Sequence, residues 1–290
     1  MSFSKKKIEV TIALGEGQYG EDGADVVTLA GYRTTATIAH PGGSSMGSLQ
    51  LRIYGLSESL MNRLTVIGPV NTQVRRNRVL VSAGDEDSGM SEVFGGTIDR
   101  TWRDARQAPE VYLNIIALAG LFEIVKPVPP RSYNGPVDVA LIMADLAKQI
   151  GAAFENNGVS VQLSNSYLPG TAWMQIQAAA IAAKINVVFE RGVLAIWPKD
   201  GARAGGIPVI SPETGLVGYP SFSSNGLELT SVFNPNVVQG GQVDIRSSLL
   251  GANGRWNVNN VVHAIDAEVP NGNWFTHIQG FPVTGQIRTV

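Results

Sequence analysis

The sequence predicts a mainly β protein with a small α+β module inserted in its second half. Three observations predict it. Short runs of β-branched and apolar residues alternate with polar ones and are cut by Gly, Asn and Pro. A stretch with four prolines in eleven residues, "KPVPPRSYNGP" (126–136), divides the chain. Two Ala-rich segments of helical period follow that stretch, after which the β pattern returns.

The first region reads as strands. "KIEVTIAL" ends at Leu14, "ADVVTLAGYRTTATIAH" covers 24–40, and "GSLQLRIYG" covers 47–55. Leu49, Leu51 and Ile53 alternate with Gln50 and Arg52, the pattern of a strand with one wet face. "SESLMNRL" (57–64) is expected to be a short helix capped by Ser57. "NRVLVSAGD", "EVFGGTIDRTWRDA" and "EVYLNIIALAG" continue the β pattern, so the first domain should end near Phe122.

Past the prolines, "VDVALIMADLAKQIGAAF" (137–154) places Ile142, Leu146 and Ile150 on one helical face, with Leu141, Asp145 and Gln149 beside it and Asp138 as N-cap. "VSVQLS" is a short strand. "TAWMQIQAAAIAAKI" (171–185) is a second helix, capped by Thr171, with Trp173, Ile176 and Ala180 aligned. "NVVFERGVLAIWP" (186–198) is a hairpin turning at Arg191-Gly192. From Gly205, five strands are expected in "GIPVIS", "LELTSVF", "GQVDIRSSL", "NVNNVVHAIDAEV" and "WFTHIQGF". In "NPNVVQGGQVDI" (234–245), Asn234-Pro235 and Gly240-Gly241 are turn punctuation, and Val238 and Val243 are candidate packing or contact residues.

Composition narrows the function. At 44% hydrophobic and 16% charged the chain is not disordered, and a net charge of −2 gives no basis for a dedicated nucleic-acid binder. There is no cysteine, hence no disulfide or thiolate chemistry, which is compatible with a reducing compartment. "MSFSKKKIEV" holds no apolar h-region, and no run reaches the length of a membrane span, so neither a leader nor a membrane anchor is expected.

Motifs for chemistry are weak. "GEGQYG" (15–20) is a literal GxGxxG, but a turn and a β-branched run follow where a dinucleotide site needs a helix, so it reads as a loop tip. "DEDSG" (85–89) lacks the alternate carboxylates and distal Glu of a calcium loop and reads as a solvated turn. His40, His263 and His277 form no metal-ligand pair, and His263, in an apolar run, reads as structural. No GxSxG elbow occurs. Asp99, Asp104 and Glu110 could supply paired carboxylates for glycoside hydrolysis; the competing reading is exposed charge around a loop, "DRTWRDARQAPE". "VRRNRV" (74–79) groups Arg75, Arg76 and Arg78, which could meet an acidic partner or a phosphate backbone, or simply sit on a solvated turn. The five tryptophans are expected in cores and subunit interfaces. No catalytic residue, metal or cofactor is expected.

Two stretches carry a resemblance. "LRIYGLSESLMNRLT" with "NRVLVSAGDEDSGMSEVFGGTIDRTWRDARQAPEVYLNIIA", and "TGLVGYPSFSSNGLELTSVFNPNVVQGGQVDI", are similar to the baseplate hub proteins of contractile-tailed bacteriophages. The resemblance covers well over half of the chain. It implies two tail-tube-like β-barrel domains, at 1–124 and 205–290, with an α+β module at 125–204 packed outside them. It also implies a homotrimer that joins a hexameric tail tube to a trimeric central spike, contacts baseplate wedge proteins, and lines a channel through which DNA passes without specific binding. Such a protein is assembled in the host cytoplasm and resides in the virion. Arg75, Arg76, Arg78, Val238 and Val243 are then the candidate contact residues. Two other readings stay open: a cell-wall or polysaccharide hydrolase using carboxylates such as Asp99 and Glu110, and a hub of a contractile injection system other than a phage.

Overall fold

The computed structural model describes residues 4–14, 25–43, 45–65, 77–122, 128–224 and 226–283. Strands account for 53% of the described residues, so the protein is mainly β. The chain folds into two units. Unit 1 comprises Met1–Ala39, Gly47–Phe122 and His263–Phe275; unit 2 comprises His40–Met46, Glu123–Val262 and Thr276–Val290.

Unit 1 is built from strands β1 (Lys6–Ala13), β2 (Val26–Ala30), β3 (Thr34–His40), β4 (Ser48–Tyr54), β5 (Arg78–Asp85), β6 (Gly89–Gln107) and β7 (Glu110–Leu118), with helix α1 (Glu58–Leu64). Their order is β3-β4-β7-β6-β5-β1-β2, and all six pairings are antiparallel. Among the described residues β2 ends this order and no closed barrel forms. Period 2 decides what is inside. Ile8, Val10 and Ile12 of β1, Leu49, Leu51 and Ile53 of β4, Val79 and Val81 of β5, and Leu113 and Ile115 of β7 are all buried. Each such side chain contributes about 1.5–3 kcal/mol by leaving water.

Strand β6 is long enough to serve two partners. Gly89–Thr97 pairs with β5, and Thr97–Gln107 pairs with β7. The handover passes through Gly96, where a Cβ would lie 2.7 Å from the carbonyl oxygen of Leu118, so only glycine permits that approach. Helix α1 is short but capped. The Leu60 N–H donates to Ser57 Oγ at 3.3 Å, and Met61 and Leu64 are buried. The β5–β6 turn is "DEDSG", where Asp85 Oδ1 accepts from the N–H groups of Asp87 and Ser88. Residues 99–105 are strand, as the β pattern of "EVFGGTIDRTWRDA" predicts; pairing with β7 continues to Gln107, so the competing reading of "DRTWRDARQAPE" as a loop is corrected to strand up to that point.

Unit 2 begins with two short pairs. Strands β8 (Arg131–Ser132) and β9 (Pro136–Asp138) lie within and just beyond the Pro-rich stretch and pair with β12 (Tyr167–Leu168) and β11 (Gln162–Ser164). Helices α2 (Val139–Ile150) and α3 (Ala172–Ala183) pack with the sheet of β10 (Ala153–Asn156), β14 (Val193–Pro198) and β13 (Ile185–Glu190). Asp138 and Thr171 cap the two helices as expected, accepting from Ala140 N–H and Met174 N–H. Ile142, Leu146, Trp173, Ile176 and Ala180 are buried in their shared core, and Leu141 faces solvent. Arg191 and Gly192 both take positive φ in the β13–β14 turn, the conformation a two-residue hairpin loop requires.

The remaining strands are β15 (Val209–Ile210), β16 (Leu216–Ser223), β17 (Gly226–Val232), β18 (Gln242–Ile245), β19 (Gly254–Ala267) and β20 (Trp274–Pro282). In unit 2 the order is β16-β17-β20-β19, with β18 pairing both β19 and β15. Leu216, Leu227, Leu229, Val243, Ile245, Trp256 and Val258 are among the residues of its core. Residues 263–275, the end of β19 and the start of β20, belong to unit 1.

The loop 234–241 is tied down from inside unit 2. Arg203 pairs with Glu155 at 3.2 Å and with Glu190 at 3.4 Å, and it donates to the Gln239 carbonyl. The Arg203 N–H donates to Gly240 O at 2.7 Å. Gly240 N–H donates to Val258 O, and Val258 N–H donates to Gly241 O, which leads the loop into β18.

Candidate interaction surfaces

Register places the side chains of unit 1 on two faces. One is the apolar core. The other is an open face whose rows follow from direct cross-strand partners. Arg33, Tyr54, Tyr112 and Asp104 form one row; Thr35, Arg52, Asn114 and Trp102 the next; Thr37, Gln50, Ile116 and Arg100 the third. The bulge at Asp99 keeps this face in phase, since Ile98 opposes Ala117 and Arg100 opposes Ile116.

Arginine and tyrosine interleave on it. The Arg33 guanidinium lies 4.3 Å from the centre of the Tyr54 ring, Tyr54 and Tyr112 rings are 5.0 Å apart, and Arg52 lies 5.6 Å over Tyr112. Arg33 pairs with Glu110 at 2.9 Å and Arg100 with Asp99 at 3.2 Å. Asp104 is buried and accepts from Arg106 Nε at 3.0 Å. Hydrogen bonds from Arg106 hold its carboxyl at about 2.

These carboxylates do not form a hydrolytic pair. A general acid needs a raised pKa, and that of Asp104 is lowered. Asp99 sits at the level of Ala117 and Ile116, while Glu110 pairs with Gln107 at the far end of the hairpin. At ~3.4 Å per residue that is about 20 Å, against the roughly 5–9.5 Å between the carboxyls of glycosidases. Among the described residues no cluster of His, Cys, Asp or Glu could hold a metal ion.

In unit 2 a second surface is the outer strand β16. It carries exposed Val217, Tyr219 and Phe222, with Tyr219 77% exposed. Its register with β17 shifts between Val217 and Ser221, where Gly218 and Pro220 fall. A cleft of about 480 Å³, also in unit 2, has exposed Ile181 and Phe281 at its walls. Among the described residues, Lys199 and Asp200 are the only titratable ones that line it.

The sequence-predicted contact residues scatter. Arg75 and Arg76, like "GEGQYG", lie outside the described residues. Arg78 is the exposed first residue of β5. Val238 is half-buried in the loop before β18, and Val243, 1% exposed, packs in the core with Ile245 and Trp256. Four of the five tryptophans are buried, and Trp102 stands on the open face of unit 1. His263 is buried and His277 shares a hydrogen bond with Thr230. Residue-by-residue reading missed the open face, although its signal was present: Gln50, Arg52 and Tyr54 alternate with the core residues of β4.

The described residues are dominated by strands, with exposed faces in both units. Solved structures share this fold. A 43 kDa tail protein of prophage MuSo2 from Shewanella oneidensis matches with a TM-score of 0.60 at 10% identity, over 94% of this chain and 96% of that one. A tail protein from Neisseria meningitidis matches with 0.62 at 11%, over the same shares. The Escherichia coli c3393 protein, a component of the type VI secretion system, matches with 0.57 at 9%, over 87% and 74%. No curated protein matches the chain in sequence. The family model of baseplate hub gp41 matches residues 7–272, and the chain belongs to that family. It is a structural component of the phage tail, the baseplate hub.

Proposed function

We propose that this hub is a trimeric symmetry adapter. Three copies close a ring that meets the hexameric tail tube on one side and the trimeric central spike on the other. The observation that carries the reading is the division of one chain into two strand-based units. A ring of three such chains offers six strand-based units, the number a sixfold tube requires. In this reading 1–124 and 205–290 are two tube-like barrels completed in the assembly, and 125–204 packs outside the ring. Free strand edges support it: β2 and β16 each end their order among the described residues, and ring closure removes such edges.

The lumen lets DNA pass without specific contact, in keeping with a net charge of −2. Arg75, Arg76 and Arg78 serve as partner-facing cations, Val238 lies near a ring contact, and Val243 packs beneath it. Wedge proteins bind outside, and the hub is assembled in the host cytoplasm. The mechanism is mechanical: the hub holds the spike until contraction and then transmits the thrust of the tube.

Light scattering on the full chain, alone and with its spike protein, tests the trimer. A mass of about three chains of 30.8 kDa is expected, at the latest with the spike bound. A persistent monomer in both samples contradicts the reading. The likeness to the c3393 protein favours one alternative, a hub of a contractile injection system outside a virion. Neighbouring genes for capsid and DNA packaging argue for the phage; their absence argues for the alternative.

A further inference from the structure

The open face of unit 1 has an unbalanced centre. Asn114 stands between Arg52 on β4 and Trp102 on β6, its direct cross-strand partners. It is only 8% exposed, and its Nδ2 has no hydrogen-bond partner. A buried donor left unmet is costly, so its persistence calls for an acceptor. The surrounding charges compensate one another: Arg33 with Glu110, Arg100 with Asp99, Arg106 with Asp104. Arg52 is different. It is exposed, lies over Tyr112, and forms no ion pair among the described residues. Trp102, 36% exposed, flanks it across the same row.

We propose that Arg52, Asn114 and Trp102 form a docking point for a carboxylate side chain of a neighbouring protein in the tail. The guanidinium fork donates two parallel hydrogen bonds to a carboxylate, and the Asn114 amide donates to the same group. The indole shields the pair from water, as aromatic residues do at the centre of protein interfaces. One net cation and one amide donor match one Asp or Glu. They do not match a nucleic-acid backbone, which needs several free cations and would here meet Asp99 and Glu110.

Photocrosslinking in assembled tails tests this. Trp102→p-benzoylphenylalanine keeps an aromatic ring at an exposed position. Irradiation is expected to link it to a protein peptide with an Asp or Glu within a few residues of the attachment point. Arg52→Gln in the same particles should lower that yield at least tenfold, and Arg52→Lys should keep part of it. An Arg52→Gln chain that unfolds at the wild-type temperature yet fails to enter tails is the stronger form of the same result. A crosslink to DNA, a crosslinked peptide without a carboxylate, no crosslink in complete tails, or a yield indifferent to Arg52→Gln would each overturn the proposal.

Discussion

Gly240 lies against the indole of Trp197: a Cβ on Gly240 would fall 2.6 Å from Trp197 Cζ2. Its φ is +80°, so two independent constraints select glycine there. Through this contact and the Arg203 hydrogen bonds, the loop before β18 is fastened to the α+β part of unit 2. Gly240→Ala is therefore expected to destabilise the protein by about 2–4 kcal/mol, combining left-handed strain with overpacking. Urea unfolding of the variant measures it; a loss below about 1 kcal/mol would show that the loop relaxes freely.

Arg203 is the centre of a largely buried charge network with Glu155 and Glu190. Arg203→Met leaves Glu155 without its ion-pair partner and Glu190 with Arg191 alone, and is expected to cost about 3 kcal/mol. Burial pushes the Glu155 carboxyl up, but hydrogen bonds from Arg203 and Asn157 outweigh it, and its pKa is lowered. The Glu155 pair thus stabilises above the ordinary carboxylate range and weakens as pH falls below it. The Arg203→Met deficit should shrink as pH falls below the ordinary carboxylate range when unfolding is followed by circular dichroism.

Asp104 gives a sharper pH prediction. Its carboxyl, ordinarily near 3.8, is held at about 2 by Arg106. A lowered folded-state value means that its contribution is complete above about pH 4 and disappears toward pH 2. Asp104→Asn should melt below wild type at about pH 6, and the two melting curves should converge by about pH 2. A gap that stays constant across that range would assign Asp104 no linkage to folding.

Much of the fold was legible in the sequence, because burial here follows strict periods. The alternation in "LQLRIY", the caps Ser57, Asp138 and Thr171, and the Arg191-Gly192 turn all appear in the structure as read. Strand β16 was not legible. Gly218 and Pro220 interrupt its pattern, and only an edge position with an irregular register tolerates them. Residues 99–105 were legible as strand in "EVFGGTIDRTWRDA", because on an open face charged residues satisfy the period-2 rule as well as any polar residue; the continuation to Gln107 was not. The open face itself needed cross-strand register, which joins Arg52 to Asn114 and Trp102 across three strands. No spacing within one segment reveals that.

Val243 and Val238 separate packing from contact. Val243→Asp puts an unpaired charge in the core of unit 2 and is expected to cost more than about 4 kcal/mol, with loss of soluble chain. Val238 is only half-buried, so Val238→Asp should unfold near the wild-type temperature. Under the proposed ring it should still lower incorporation into tails. Normal incorporation of Val238→Asp would remove this residue from the contact.

The central claim is geometric, and an averaged electron-microscopic image of the assembled tail tip tests it most directly. The account predicts three copies of this chain around the tail axis, forming a ring with six lobes toward the tube and threefold symmetry toward the spike. A different copy number, or density for this chain away from the axis, would contradict it.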